Sequence, residues 1–279
     1  MSAVAYQGVP GAFSELAARA FAAPGEALLP CPSFAAMFDA VEQGAARCAA
    51  APIENTLAGS VRECQDLLAM RAVTITGEAL VRVSHALIGP PGSTPEGIRR
   101  VLSHPVALAQ CERWFLAHPL VEPVPVFDTA GAVERVMREG DPAQAALAAE
   151  RAAGRYGAVV LERALEDEPA NLTRFLRVAR AGAGPAPDHD GARKTLLVFR
   201  TADRPGALHR CLRPFAERGL DLTRIESRPL KDTPFEYLFY MEVADPGPGG
   251  ALEEAVEELR RECSELRQLG VFAPAGAPV

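Results

Sequence analysis

Five residues near the middle of the chain, Asn171 to Phe175, set an amide, a hydroxyl, a guanidinium and an aromatic ring side by side. In an extended strand Asn171, Thr173 and Phe175 point to one side, and Leu172 and Arg174 to the other. A plain edge strand needs no such mixture, whereas a site that orients a polar substrate against an apolar wall does. Three other stretches join turn residues to polar groups where apolar runs end, the place where ligands gather in open α/β sheets. In "GVPGAFS", Gly8 to Ser14, two glycines let the backbone approach a ligand, and Ser14 with nearby helix-start amides can receive a carboxylate; a turn followed by a helix cap accounts for the same residues. "PIENTLAGSV", Pro52 to Val61, clusters Glu54, Asn55 and Thr56 at a strand end and adds a Gly59–Ser60 nest of amides. A capping box would also bring a carboxylate there. Ser103 and His104 stand at one predicted helix entrance, and "DTAGA", Asp128 to Ala132, at another, so Ser103, His104 and Thr129 are candidate donors to an anion. A lone histidine beside a cap also suits a structural role, and no nucleophile elbow accompanies it, which argues against hydrolytic triad chemistry.

The elements that must position these groups follow from hydrophobic periodicity. Residues 1–180 alternate apolar runs with helical patterns, the mark of an α/β layer structure. "SAVAYQG", "RCAAAPIE" and "AVVLE" read as strands, the last one buried, and "LVEPVPVF" as an edge strand on account of its prolines. "FSELAARAFA", "SHPVALAQCERWFLAH" with a Ser103 cap, "TAGAVERVMREG" and "PAQAALAAERAAGRYG" read as helices, with Gly140 and either Gly154 or Gly157 as stops. Residues 181–192 contain two prolines, three glycines and no large apolar side chain, the composition of a flexible linker. Beyond it, "KTLLVFR" is a strand and "DRPGALHRCLRPFAERG" a helix capped by Asp203 and stopped by Gly219, with Leu208, Cys211, Leu212 and Phe215 as its stripe and Pro214 awkwardly inside. Two strands follow, the second alternating Phe235, Tyr237, Phe239, Met241 and Val243 onto one face. A helix from Gly250 with Leu252, Val256, Leu259 and Cys263, and a strand over 264–272, complete a ferredoxin-like βαββαβ order.

Composition bounds the function. The chain has 279 residues and a formal charge of −7, with no dense Lys/Arg cluster, so nucleic acid is a poor partner and an anionic small molecule needs a local donor site. Six cysteines, at 31, 48, 64, 111, 211 and 263, form no CxxC pair, which argues for reduced, mostly buried thiols rather than a zinc site or a disulfide framework. No run approaches the ~18 apolar residues of a membrane span, and the N-terminus lacks a basic, apolar leader. A soluble, cytoplasmic protein is expected.

In order, "GVPGAFSE", "PIENTLAGSV", "SHPVALAQC", "DTAGAV", "NLTRF", "RPGALH" and "IESRP" resemble a prephenate dehydratase with a C-terminal ACT regulatory domain. The resemblance covers essentially the whole chain. It implies a two-lobed catalytic domain over 1–180, built like a type 2 periplasmic binding protein, the linker, and an ACT domain over 193–279. It implies conversion of prephenate to phenylpyruvate with loss of water and carbon dioxide in phenylalanine biosynthesis, without metal or organic cofactor. Thr173 is then the residue tied most directly to activity, and Glu54, Asn55, Ser103, His104, Thr129 and Ala130 line the cleft with Ser14, Asn171, Arg174 and Phe175. Gly206, Ala207, Leu208 and His209, with Glu226, Ser227 and Arg228, form a phenylalanine site at an ACT interface of a homodimer or homotetramer. The chain departs from the family's pattern at Val106, often Gln, and at Ala12, often Thr.

The chemistry is consistent with those residues. Prephenate is a dianion whose ring becomes aromatic as its hydroxyl and ring carboxylate leave, so orientation and a proton donor suffice. Thr173 is the expected donor to the departing hydroxyl, with His104 or Glu54 behind it as proton source. Arg174 either grips the pyruvyl carboxylate or forms a salt bridge that fixes the cleft. Arogenate dehydratase, and a non-enzymatic solute binder with the same lobes, remain alternatives.

Overall fold

The computed structural model describes residues 3–183, 192–201, 204–230, 236–245 and 250–279. The expected linker lies largely outside them, as do the Asp203 cap and Phe235. The chain forms two compact units, one of Met1–Leu67, Ala79–Arg177 and Gly276–Val279, the other of Leu68–Glu78 and Val178–Ala275.

The first unit is built around two sheets. One joins β1 (Ala3–Gln7), β2 (Ala27–Cys31), β3 (Cys48–Asn55), β4 (Gly59–Ser60), β5 (Val73–Arg82) and β11 (Leu172–Arg180) in the order β2-β1-β3-β11-β5, with β4 paired to β3. The other joins β6 (Ala86–Gly89), β7 (Arg100–Ser103), β8 (Glu122–Pro125), β9 (Gln144–Ala148) and β10 (Val159–Glu162) in the order β10-β6-β9-β7-β8. Helices α1 (Phe13–Phe21), α2 (Phe34–Glu42) and α3 (Arg62–Met70) belong to the first lobe, and α4 (Pro105–Ala109), α5 (Glu112–Ala117), α6 (Thr129–Glu139) and α7 (Arg151–Tyr156) to the second. Residues 48–53 of β3 are all buried, as a central strand paired in parallel with β1 requires. The unit boundary falls inside α3, after Leu67, inside β5, after Glu78, and inside β11, after Arg177.

Several expectations change. The stretch read as one helix from 103 is two helices, because Gln110 turns its carbonyl out of the ladder to accept from the Asp167 amide at 2.7 Å, and Cys111 leaves helical geometry. Ser103 does not cap it: the residue ends β7, fully buried, and donates its hydroxyl to Leu147 O at 2.6 Å, while His104 is the N-cap. "QAALA" is a strand despite its alanines, since β9 is buried throughout between β6 and β7, and burial overrides helix propensity; only Arg151–Tyr156 of that stretch is helical. The strand β10 is a half-buried edge rather than a buried strand. Gly140 and Gly157 close α6 and α7 in left-handed geometry at φ 66° and 70°, and Gly154 lies within α7. The edge position of β8 is as its prolines indicated.

The second unit contains β12 (Arg193–Thr201), α8 (Ala207–Glu217), β13 (Leu222–Pro229), β14 (Tyr237–Asp245), α9 (Ala251–Glu262) and β15 (Cys263–Phe272), an antiparallel sheet in the order β13-β14-β12-β15. Leu197, Phe199, Met241 and Val243 share one core with Cys211 and Phe215 of α8 and Leu252, Val256 and Leu259 of α9. Phe239 packs against that core, Tyr237 is exposed, and Cys263 opens β15 instead of ending the helix. Pro214 is buried within α8, which continues to Glu217. Residues 69–78 pack on the last strand. The Arg267 guanidinium donates to the carbonyls of Ala69, Arg71 and Val73, and the Thr74 hydroxyl to Leu269 O at 2.9 Å. Gly270 lies so close that a Cβ there would fall 2.2 Å from Ile75 O.

Candidate active site

The loop after β1 turns on Gly8, φ +110°, and Gly11, φ +98°; an added Cβ at Gly11 would come within 3.1 Å of Ala152 Cβ on α7. The close approach holds the first lobe against the second, where Tyr156 donates its hydroxyl to Pro10 O at 2.9 Å. Buried Glu15 adds to the junction, accepting from the Gly11 amide and pairing with Arg19 at 2.5 Å and Arg151 at 3.3 Å. Burial opposes its ionisation, but the Gly11 amide and the two guanidiniums outweigh it and hold its carboxyl below the usual range.

Between the lobes lies a cavity of about 500 Å³. The first lobe contributes Gln7, Phe13, Ser14, Pro52 and Asn55, the second His104, Val106, Gln110 and Thr129, and β11 contributes Thr173 and Phe175. Among the described residues its lining contains no arginine or lysine, and Glu63 and Asp128 are acidic. An anion must therefore be held by neutral donors. The α1 entrance has alanine at its N-cap and no side-chain cap bond, which leaves the first-turn amides of Phe13 and Ser14 for a ligand. Ser14 directs its hydroxyl hydrogen to Gln7 O at 2.5 Å, and α6 is capped from within by Asp128, whose carboxylate accepts from the Gly131 amide.

Asn55 is the hub. Its Oδ1 accepts from the amides of Leu57 and Ala58 at 3.0 and 2.9 Å. Its Nδ2 donates to Asn171 Oδ1 at 2.7 Å, Leu172 O at 3.1 Å and Thr173 Oγ1 at 2.9 Å. Asn171, wholly buried behind the wall, donates in turn to Gln110 Oε1 at 3.0 Å, and His85 Nε2 meets the same oxygen at 3.0 Å. Burial keeps the His85 pKa below its ordinary value, although Gln110 and the nearby Glu166 carboxylate favour the charged ring.

The expected residues divide clearly. Ser14, Asn55, His104, Thr129, Thr173 and Phe175 line the cavity, and Asn171 stands behind it. Ser103 is buried against Leu147, and Ala130 is buried off the lining. Glu54 and Arg174 face each other at 3.7 Å, also off the lining. In the second unit Gly206, φ +74°, is the N-cap of α8, with Ala207, Leu208 and His209 in its first turn. Glu226, Ser227 and Arg228 lie on the edge strand β13, Glu226 paired with Arg224 at 2.6 Å. Sequence reasoning missed Gln110 and His85. The first was counted as one more helix position, and the second is a lone histidine in "VSHALIGP" with no spacing to mark it.

The sequence pattern described as "Prephenate dehydratase" matches residues 4–183, and that of the ACT domain residues 195–261. Arogenate dehydratase/prephenate dehydratase 2 of Arabidopsis thaliana, a chloroplastic protein, is 40% identical over 278 residues, covering 96% of this chain and 72% of the relative. A bifunctional N-acyl-homoserine lactone acylase/prephenate dehydratase of Komagataeibacter europaeus is 40% identical over 269 residues, covering 96% of this chain and 95% of its own length. The crystal structure of the prephenate dehydratase of Arthrobacter aurescens in complex with L-Phe superposes with a TM-score of 0.89 at 33% identity, covering 99% of this chain and 92% of that one. The fold is thus the two-lobed, periplasmic-binding-protein-like α/β domain with a βαββαβ ACT sheet. With residues 4–183 matched in one piece and an ACT domain behind them, the chain belongs to the prephenate dehydratase family.

Proposed function

We propose that this chain converts prephenate to phenylpyruvate in the cavity between the lobes, and that phenylalanine regulates it through the ACT domain. One observation carries the assignment of roles: Asn55 Nδ2 donates to Thr173 Oγ1. With its oxygen occupied as an acceptor, Thr173 has its own hydrogen to donate, and it lines the cavity. The donor faces the leaving hydroxyl, and the Asn55 N–H offsets charge left on the threonine oxygen as that hydroxyl departs. His104 is the proton source in preference to Glu54. It lines the cavity, which Glu54 does not. Glu54 instead pairs with Arg174, which supports a salt-bridge role for both within the first lobe. Phe13, Pro52 and Phe175 form the wall for the ring, and the backbone amides of Phe13 and Ser14 at the α1 entrance, with Thr129, receive the carboxylates. The departing carboxylate is left without a fixed cation, which avoids stabilising the ground state.

The same proposal has a catalytic domain over 1–180, a linker over 181–192 and an ACT domain over 193–279. The effector site comprises Gly206 to His209 and Glu226 to Arg228, and ACT pairing makes a homodimer or homotetramer. Among the described residues no helix is long and apolar enough to cross a membrane, and the cytoplasm is the proposed location. Arogenate is the second reading, because the Arabidopsis relative carries both names. Offering both substrates at equal concentration and following phenylpyruvate and phenylalanine separates the readings. Thr173→Ala should lose about 10²–10⁴ in turnover. Unchanged turnover would refute the role.

A further inference from the structure

We propose that His85 is a positioning residue for the cleft chemistry, acting through Gln110, whose carboxamide it holds with the NH2 end turned toward the substrate. The proposal rests on the reading of the cavity as the substrate site. Backbone amides only donate, so the amides of Leu57 and Ala58 fix which end of Asn55 is oxygen. The other end is nitrogen and meets the Asn171 oxygen, so Asn171 offers its NH2 to Gln110. Gln110 must then face both Asn171 and His85 with its oxygen, and His85 Nε2 must carry the hydrogen. The Gln110 carbonyl is claimed twice, its NH2 has no protein acceptor among the described residues, and the residue lines the cavity. That NH2 is a donor suited to a carboxylate or keto oxygen.

Two further observations support a ring kept for its Nε2–H. His85 borders the cavity edge-on to Phe13, ring centroids 5.6 Å apart, yet is only 2% exposed, and among the described residues its Nδ1 is buried without a partner, so imidazole is held there although half of its polar capacity is unused by the protein. The backbones of His85 and Gln110 are also pinned from one short segment. The Leu165 amide donates to His85 O at 3.0 Å, the His85 amide to Glu166 Oε2 at 2.9 Å, and the Asp167 amide to Gln110 O at 2.7 Å. That segment begins at Ala164, φ +55°, the one non-glycine residue with positive φ among those described. A strained turn that pins the backbones carrying both side chains sets where those side chains start, which is what a positioning device needs.

The test uses the full chain with prephenate, comparing wild type with His85→Phe, His85→Gln, Gln110→Leu and the double variant His85→Phe/Gln110→Leu. Phenylalanine removes the orphaned Nδ1, so His85→Phe should fold with unchanged or higher melting temperature while kcat/KM falls about tenfold or more. Glutamine places an N–H where Nε2 stands, so His85→Gln should recover to within about threefold of wild type. The double variant should be no worse than Gln110→Leu alone. Additive losses in the double variant, equal impairment of the Phe and Gln variants, or wild-type activity in His85→Phe would overturn the proposal. An activity-independent reading is the imidazole ¹⁵N spectrum, in which His85 should be the Nε2–H tautomer at neutral pH. The opposite tautomer there refutes the inference even if the chain never turns prephenate over. Failure of wild type alone refutes only the substrate reading.

Discussion

Asn55→Asp separates orientation of the Thr173 hydroxyl from mere packing. The substitution keeps size and shape but replaces the Nδ2 donor, which serves Asn171 Oδ1, Leu172 O and Thr173 Oγ1, by an acceptor. The Leu172 carbonyl cannot respond and would face a carboxylate across about a hydrogen-bond length, and Asn171 could respond only by turning its amide over at the cost of its bond to Gln110. Thr173 can respond, by turning its own hydrogen toward residue 55 and away from the substrate. Each lost bond is worth roughly 0.5–1.5 kcal/mol net, and the amides of Leu57 and Ala58 bind a carboxylate about twice as strongly as an amide oxygen. The balance is a loss of about 1–3 kcal/mol in stability, which thermal or urea unfolding will read. For turnover the loss is that of an oriented donor, about 10²–10³. Asn55→Ala removes the same bonds but leaves the threonine hydrogen free to rotate toward the cavity. The larger truncation should therefore be the milder lesion, with kcat at least about tenfold above that of Asn55→Asp. The assay is formation of phenylpyruvate from prephenate at saturating substrate. If Asn55→Asp turns over as fast as Asn55→Ala, Thr173 does not act through a hydrogen that Asn55 directs, and the reasoning fails.

Ala164→Gly should hold or raise the melting temperature, because the left-handed geometry costs alanine about 1–2 kcal/mol and glycine nothing, offset in part by unfolded-chain entropy; a clear drop would mean that Ala164 is not strained. Gly270→Ala should cost about 2 kcal/mol or more in urea unfolding, since its Cβ would meet the Ile75 backbone; an unchanged midpoint would show that β15 yields freely. His85 has a folded pKa below its ordinary 6.5, so below pH 6.5 the unfolded chain binds more protons than the folded one. Its contribution to stability is full above that pH and declines as pH falls toward the folded pKa. His85→Gln should remove this part of the acid slope, and an identical slope in the variant would show that another group carries it.

Sequence pattern was most informative where burial has a period. The apolar run of β3, the edge prolines of β8 and the stripes of α8 and α9 each follow from which side meets the core. It failed at "QAALA", where five residues with good helix propensity are surrounded by neighbouring strands, and at Gln110, where a helix breaks for a carbonyl that Asp167 claims from 57 positions away. The site behaved likewise. Thr173 and Phe175 could be placed on one side of a strand from spacing alone, and Ser14, Asn55 and Thr129 at strand or helix ends from turn residues. Glu54 and Arg174 were grouped with them by position in a motif, yet they pair with each other off the cavity wall. The chain from Asn55 through Asn171 and Gln110 to His85 joins four separated segments, and no local pattern reports such a connection.

The grip of Arg267 on the end of α3 bears on how this enzyme can be engineered. A variant that phenylalanine no longer regulates could be sought by cutting away the ACT domain, everything beyond the proposed boundary at residue 180 or 192. That cut would strip the guanidinium from the carbonyls of Ala69, Arg71 and Val73, leave the Thr74 hydroxyl without Leu269 O, and separate Glu78 from Lys194, 3.4 Å away. The shortened chain would retain a segment shaped to be covered, with helix-end carbonyls and a carboxylate newly exposed beside β5. The C-terminal residues would go as well, although the Val279 amide bonds Leu80 O within the first unit. If the effector site is the one proposed, deregulation is therefore better sought by single substitutions at Gly206 and Glu226, which leave the scaffold whole, than by scission.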